Sequence, residues 1–451
     1  MQDKLKDMKN KYIPIVVAVI LCGILASFFI GGDDGKYVVS YNEVKPVKPY
    51  LPSKVKLFVE NSGSMDGYMF AGSELKDAVY SYISGLSTHT DTTELYFVNS
   101  DIYRVNAPLN NVIYTMSPAT FHQSPGNKAN TDIANIFSMV LSQIEPNTVN
   151  VLVTDGILDL LAGSTTFFRT KETQIKSIFE NYLKVNKNFG IEIYRMSSKF
   201  NGNYYYTGGT VKLSDQQRPY YMFVLGDKQA LSAANNIVAK SQIQHGVENY
   251  YAYSSYTEVP FVVLNKKKKG KGGSFDVRLQ KKEAPVIVKV DMQYTLHDEE
   301  LLKNIPYYSI AFGDENIKVK SIKELRKEPE YTHALTVNLP ANAEEGQINM
   351  YFCPPPYPSW LEDANDDLSD ASVATSMKTT GIKYIVEGIS DAFASTCANN
   401  PAYFTNGDKV FTPLFDNKPM PVLAGWKFNL DKKGHSNKSH KKSKNKKNSN
   451  D

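Results

Sequence analysis

The stretch VKLFVENSGSM, residues 55–65, joins a short apolar run to a polar turn. The run at residues 55–59 has the composition of a buried strand, because β-branched and aromatic residues favour strands. Glu60, Ser62 and Ser64 follow it at alternate positions, so one carboxylate and two hydroxyls fall in the turn. Oxygen ligands grouped in this way suit a hard cation. The stretch predicts a strand that ends in one half of a cation site.

Strand-like runs alternate with helical periodicity across residues 55–243. The strand-like segments are residues 94–98, 149–153, 191–196 and 220–225, with a predicted hairpin at residues 200–218 between the last two. Apolar residues at helical spacing begin at Leu75, Ile133, Ile175 and Leu231. The alternation predicts an α/β unit in which helices cover both faces of a parallel sheet. Ligands of such sheets bind beyond the carboxyl ends of the strands.

Two further polar residues stand where such a site needs them. Thr131 precedes the helix that begins near Ile133, and Asp155 follows the strand-like run in the sequence VLVTDG. With the turn at residues 60–64, this ordered set resembles the metal-ion-dependent adhesion site of a von Willebrand factor type A (vWA) domain. The resemblance covers roughly residues 55–240.

The resemblance implies a Rossmann-like fold and a site that holds Mg²⁺ or Mn²⁺. By position, Ser62, Ser64 and Thr131 match the hydroxyl ligands of that family, and Asp155 matches its second carboxylate. Glu60 stands where the family usually has Asp, and that carboxylate mostly reaches the cation through water.

The implied function is divalent-metal-dependent protein binding or complex assembly, with a partner protein that presents an acidic side chain to the cation. One alternative is a metal-free vWA scaffold, since the longer Glu60 side chain can crowd a cation that demands octahedral geometry. A second alternative is a serine hydrolase that uses Ser62 or Ser64. That reading lacks a good base, because His122 is the only histidine in a loop near Thr131. The sequence therefore favours a binding protein over an enzyme.

Residues 13–30 form an apolar run just long enough to span a bilayer as a helix. Lysines precede the run and acidic residues follow it, so the positive-inside rule predicts a signal-anchor. Residues 1–12 would then be cytoplasmic and the bulk of the chain periplasmic or extracellular. A cleaved signal peptide and a lipoprotein signal at Cys22 are the alternatives.

The remaining segments complete the predicted organisation. Residues 31–54 are expected to be a linker, and residues 244–431 a mostly antiparallel β-rich domain. Residues 432–451 contain eight lysines and one acid, so the rest of the chain carries a net charge of −3 out of the total of +4. This tail lacks interleaved aromatic residues and predicts no specific nucleic-acid partner. Cys353 and Cys397 are expected either to form one disulfide or to be buried thiols.

Overall fold

The computed structural model describes most of the chain, with gaps. The described residues are 36–129, 131–158, 165–265, 273–279, 283–312, 317–327, 330–341, 343–368, 370–398, 405–406, 409–410, 414–415 and 418–433.

Strands are numbered in chain order. They are β1 Lys36–Ser40, β2 Lys54–Glu60, β3 Thr92–Val98, β4 Ile102–Val105, β5 Thr148–Thr154, β6 Phe189–Tyr206, β7 Gly209–Asp227, β8 Asn249–Ser254, β9 Thr257–Glu258, β10 Phe261–Leu264, β11 Ser274–Arg278, β12 Ala284–Val290, β13 Tyr308–Ala311, β14 Val319–Glu324, β15 His333–Leu339, β16 Gly346–Phe352, β17 Asn365–Asp366, β18 Thr379–Thr380, β19 Thr405–Asn406, β20 Lys409–Val410, β21 Leu414–Phe415, β22 Lys418–Pro419 and β23 Ala424–Lys432.

The α-helices are numbered in the same way. They are α1 Glu74–Ser87, α2 Leu109–Thr115, α3 Pro118–His122, α4 Ile133–Ser142, α5 Thr165–Val185, α6 Lys228–Ile237, α7 Glu299–Leu302, α8 Leu361–Ala364 and α9 Ile382–Ala398.

A seven-stranded sheet, the central sheet, has the strand order β4-β3-β2-β5-β7-β6-β8. Strand β2 runs parallel to β3 and to β5. The pairs β3–β4, β5–β7, β6–β7 and β6–β8 are antiparallel. The predicted Rossmann-like parallel sheet is therefore wrong, because this sheet is mixed and most of its described pairs are antiparallel.

The reason for the difference is the hairpin of β6 and β7. These strands contain 18 and 19 residues and pair from Phe189 and Asp227 to Tyr206 and Gly209, with one register shift after Phe200. Strand β7 lies between β5 and β6 and runs antiparallel to both. The alternation of helices and strands in the sequence predicts where the strands lie, but a returning hairpin strand can insert between two strands that a helix connects.

Alternate residues of the central strands face two different apolar cores. Leu57 packs in the core that contains residues of α1 and α6, whereas Phe58 packs in the core that contains residues of α4, α5 and α9. Full burial of one such side chain contributes about 1.5–3 kcal/mol. Helix α9 reaches the central sheet from far along the chain, and its Tyr384 ring stacks on Phe168 of α5 at 4.9 Å. The apolar cores on the two faces of the central sheet thus contain residues from both halves of the chain.

Two further sheets enclose a separate apolar core. One has the order β11-β1-β23-β16-β13, with β9 pairing β23, and the other has the order β10-β12-β15-β14. Except for β9 with β23, their described pairs are antiparallel. Strand β1 belongs to the segment expected to be a linker, and it pairs with β11 and β23.

The predicted membrane anchor also requires correction. Among the residues that the structure describes, no helix is long and apolar enough to cross a bilayer. The apolar run at residues 13–30 lies outside the described residues. The described residues therefore give no support to the predicted single-pass anchor or to the localisation inferred from it.

His297 lies where the central sheet meets the sheet that contains β16. Its ring is 8% exposed and packs against Tyr251 of β8 and Phe352 of β16, with centroid distances of 5.2 and 5.8 Å. Burial, and then the positive charge of Lys240, lowers the pKa of His297 to about 3 from its ordinary 6.5. The folded protein therefore holds this imidazole neutral.

We expect His297 to make the folded state sensitive to acid. The unfolded chain takes up a proton as the pH falls below about 6.5 and the folded chain does not, so this stability is full above pH 6.5 and is lost toward pH 3. The contribution to the slope approaches about 1.4 kcal/mol per pH unit. Urea unfolding at a series of pH values, compared with His297→Phe, measures it. Equal slopes in the two proteins would contradict the assignment.

Candidate metal centre

The carboxyl ends of β2 and β5 lie side by side and position the candidate site. Because the two strands are parallel neighbours with Val59 paired to Val153, the residues that follow, Glu60 and Thr154, meet at one edge of the central sheet. A 3-10 turn, Gly63–Tyr68, follows β2, and helix α4 begins two residues after Thr131. Segments that are far apart in sequence thus converge on Glu60.

Glu60 is the centre of a hydroxyl network. Its side chain is 4% exposed, and its Oε1 accepts a hydrogen bond of 2.9 Å from the Thr131 hydroxyl. Its Oε2 accepts one from the hydroxyl of Thr154, and Ser62 also donates to the carboxylate. Buried carboxylates are costly unless such donors surround them. The three hydroxyls therefore make it possible to bury this acid.

Two opposing effects set the pKa of Glu60. Burial raises it first, the negative charge of Asp155 raises it further, and the hydroxyl hydrogen bonds lower it. Together they raise the pKa of Glu60 to about 7 from its ordinary 4.5. A second buried carboxylate beside it leaves excess negative charge, which a cation would compensate.

Ser62, Ser64 and Asp155 complete the set. The hydroxyl oxygens of Ser62 and Ser64 are 2.9 Å apart. Asp155 is buried, and its Oδ1 accepts a hydrogen bond of 3.1 Å from the Ile157 amide. The next residue, Gly156, has a φ of +68°, and a Cβ there would lie 2.8 Å from the Tyr221 ring. The positive φ and the close Tyr221 ring both require glycine at position 156, in the TDG sequence.

A cavity of about 310 Å³ opens above these residues. Its lining includes four of the predicted site residues, Glu60, Ser62, Ser64 and Thr131. The other lining residues are Gly63, Lys128, Ala129, Ile157, Leu158, Tyr205, Tyr206 and Thr207. Asp155 is not among them, and its effect on Glu60 is through its charge. The predicted site residues therefore lie together, with four at the cavity wall and one beside them.

Sequence reasoning missed Thr154 and Lys128. Thr154 immediately precedes Asp155 at the end of a strand, and alternation would have placed its side chain opposite that of Asp155. Lys128 lies in the loop before Thr131, and its ammonium donates to the Ser124 carbonyl. No local pattern marks Lys128, because its place at the cavity depends on how this loop folds over the 3-10 turn.

The donor set fits a hard divalent cation in its chemistry. Hydroxyl and carboxylate oxygens are the ligands that Mg²⁺ and Mn²⁺ prefer. Because the Thr131 hydroxyl donates its hydrogen to Glu60, its oxygen lone pairs stay available to a cation. Across the described part of the chain no cluster has three or more acidic, histidine or cysteine side chains suited to a metal ion. Any cation at this site would therefore depend on hydroxyl oxygens together with the carboxylates of Glu60 and Asp155.

Neither protein-family models nor curated proteins give a match to this sequence. The likeness to vWA domains and to their adhesion site has no support beyond the residues described above.

We expect Glu60 to destabilise the folded protein as the pH rises. Between pH 4.5 and 7 the folded state retains a proton that the unfolded chain has released, so the free energy of unfolding falls through this window. The slope approaches about 1.4 kcal/mol per pH unit, opposite in sign to that of His297. The free energy of unfolding is measured at a series of pH values, with a chelator present, for the wild type and for Glu60→Gln. The difference between the two proteins gives the contribution of Glu60. If Glu60→Gln leaves the pH dependence unaltered, Glu60 ionises normally.

Proposed function

We propose that this chain is a divalent-cation-dependent protein-binding module. The observation that supports the proposal best is the convergence of Glu60, Ser62, Ser64 and Thr131 on one cavity, with Asp155 beside them. These residues supply hard oxygens from three separate segments, and Glu60 and Asp155 add two buried carboxylates.

In this proposal Ser62, Ser64 and Thr131 hold Mg²⁺ or Mn²⁺ through their hydroxyl oxygens. Glu60 orients two of those hydroxyls by accepting their hydrogens, and Asp155 contributes charge. A bound cation would supply a Lewis-acidic position for an acidic side chain of a partner protein. The cavity has room for such a side chain beside the oxygens.

A metal-free scaffold is the second candidate, and the state of Glu60 favours it. Both carboxylate oxygens of Glu60 already accept hydroxyl hydrogen bonds, and a pKa of about 7 allows the neutral acid near neutral pH. In that case the network stabilises the end of β2 and binds nothing.

The hydrolase alternative stays a prediction. No histidine is among the described residues that line the cavity. The His122 side chain is not among the side chains that the structure describes. Labelling of Ser62 or Ser64 by an active-serine probe would revive this alternative.

We expect Mg²⁺ and Mn²⁺ to bind the full-length protein with one ion per chain and to raise its melting temperature. A ligand at a hundred times its Kd stabilises the folded state by about 2.7 kcal/mol. Asp155→Asn and the double variant Ser62→Ala/Ser64→Ala should lose most of this stabilisation, because they remove charge and ligand oxygens. Asp276→Asn is the matched control, since Asp276 is exposed on β11. Isothermal titration and thermal scans, with and without a chelator, provide the measurement.

Two results would count against the proposal. One is that neither ion shifts the melting temperature of the wild type. The other is that Asp155→Asn responds to the ions as Asp276→Asn does. If neither ion shifts the melting temperature of the wild type, an unchanged melting temperature in Glu60→Gln would favour the metal-free scaffold.

A further inference from the structure

The outer part of the β6–β7 hairpin extends past the central sheet. Strand β6 pairs with β8 only as far as Arg195, and β7 pairs with β5 only as far as Tyr221. Beyond these positions the two strands pair only with each other, up to Tyr206 and Gly209. This two-stranded extension is the ribbon.

The ribbon is held against the 3-10 turn of the candidate site. Phe200 packs edge-on against Tyr68 with ring centroids 4.9 Å apart. A Cβ on Gly67 would lie 2.2 Å from the Phe200 ring and would push the ribbon away. The register shifts between Phe200 and Gly202, which bends the strand at this contact. The position of the ribbon tip is therefore fixed by packing.

The tip places one tyrosine inward and the next at the cavity. Tyr204 is buried, and the Arg218 guanidinium lies 4.5 Å from the centre of its ring. Tyr205 lies on the other face of the strand from Tyr204, because side chains alternate. It is 46% exposed and lines the cavity together with Tyr206 and Thr207. Its ring and the Lys128 carbonyl both lie within 4 Å of a Cβ built on Gly63. Tyr205 and the Lys128 loop thus both lie beside Gly63, within the lining of the cavity.

We propose that Tyr205 and Lys128 determine which ligand the cavity accepts, and that the ligand is a glutamate-type acidic side chain. In this proposal the Lys128 ammonium, which donates to the Ser124 carbonyl, also pairs with the incoming carboxylate. The Tyr205 ring packs against the methylene stem of that ligand. Both residues line the same cavity as Glu60, Ser62, Ser64 and Thr131. The inference rests on the proposed cation-dependent function and adds to it the residues that select the ligand.

The test uses the full-length protein loaded with Mn²⁺, whose effect on water proton relaxation changes when a ligand displaces coordinated water. N-acetyl-glutamate methylamide is titrated in, with the glutamine analogue as the neutral control. We expect the glutamate compound alone to change the relaxation of the wild type. Tyr205→Ala removes none of the proposed cation oxygens and no charge, so its Mn²⁺ affinity should stay within about twofold of the wild type. Lys128→Gln removes a positive charge from the cavity, so it should bind Mn²⁺ at least as tightly as the wild type. Both should bind the glutamate compound about fivefold or more weakly.

Tyr205→Phe retains the ring and should bind as the wild type does. Tyr114→Ala, at an exposed tyrosine of α2, is the control for removing an aromatic elsewhere. The inference is overturned if the glutamate and glutamine compounds act alike, or if Tyr205→Ala and Lys128→Gln bind the glutamate compound as tightly as the wild type. The proposed function itself fails, separately, if Mn²⁺ does not bind the wild type.

Discussion

The parallel pairing of β2 with β5 is the constraint on which the candidate site depends. It brings Glu60 next to Thr154 and Asp155, although 94 positions separate Glu60 from Thr154 in the sequence. Two neighbouring carboxylates are thereby buried, and burial of charge is unfavourable unless donors or an opposite charge compensate it. Hydroxyls supply the donors around Glu60, and the raised pKa of Glu60 shows that they compensate only in part.

Across residues 55–243 the sequence predicts the four longest helices and the strands β2, β3, β5, β6 and β7, but not the directions of the strands. Hydrophobic periodicity marks β2, β5, α1 and α4 because each buries one face or both faces. It cannot distinguish a parallel sheet from one into which β7 inserts, because buried strands of either kind have the same composition. The length of the β6–β7 hairpin was the available signal, since two long strands joined by a tight turn must be antiparallel.

The site residues likewise divide into those that local sequence patterns predict and those that they do not. Glu60, Ser62, Ser64, Thr131 and Asp155 follow from strand ends and a helix start, which local patterns reveal. Thr154, Lys128 and Tyr205 reach the site through sheet register, loop path and hairpin overhang, which are long-range properties. The structure also explains what the length of Glu60 does: its two oxygens reach hydroxyls on separate segments, at Thr131 and Thr154.

The central claim is that Glu60 carries charge that a cation neutralises, and proton release tests it most directly. Mg²⁺ titrations at pH 7 in two buffers of different ionisation enthalpy report the protons released on binding. With a Glu60 pKa of about 7, close to half a proton should leave per ion bound, and none should leave in Glu60→Gln. Binding without proton release, equal release in Glu60→Gln, or no binding would contradict the account.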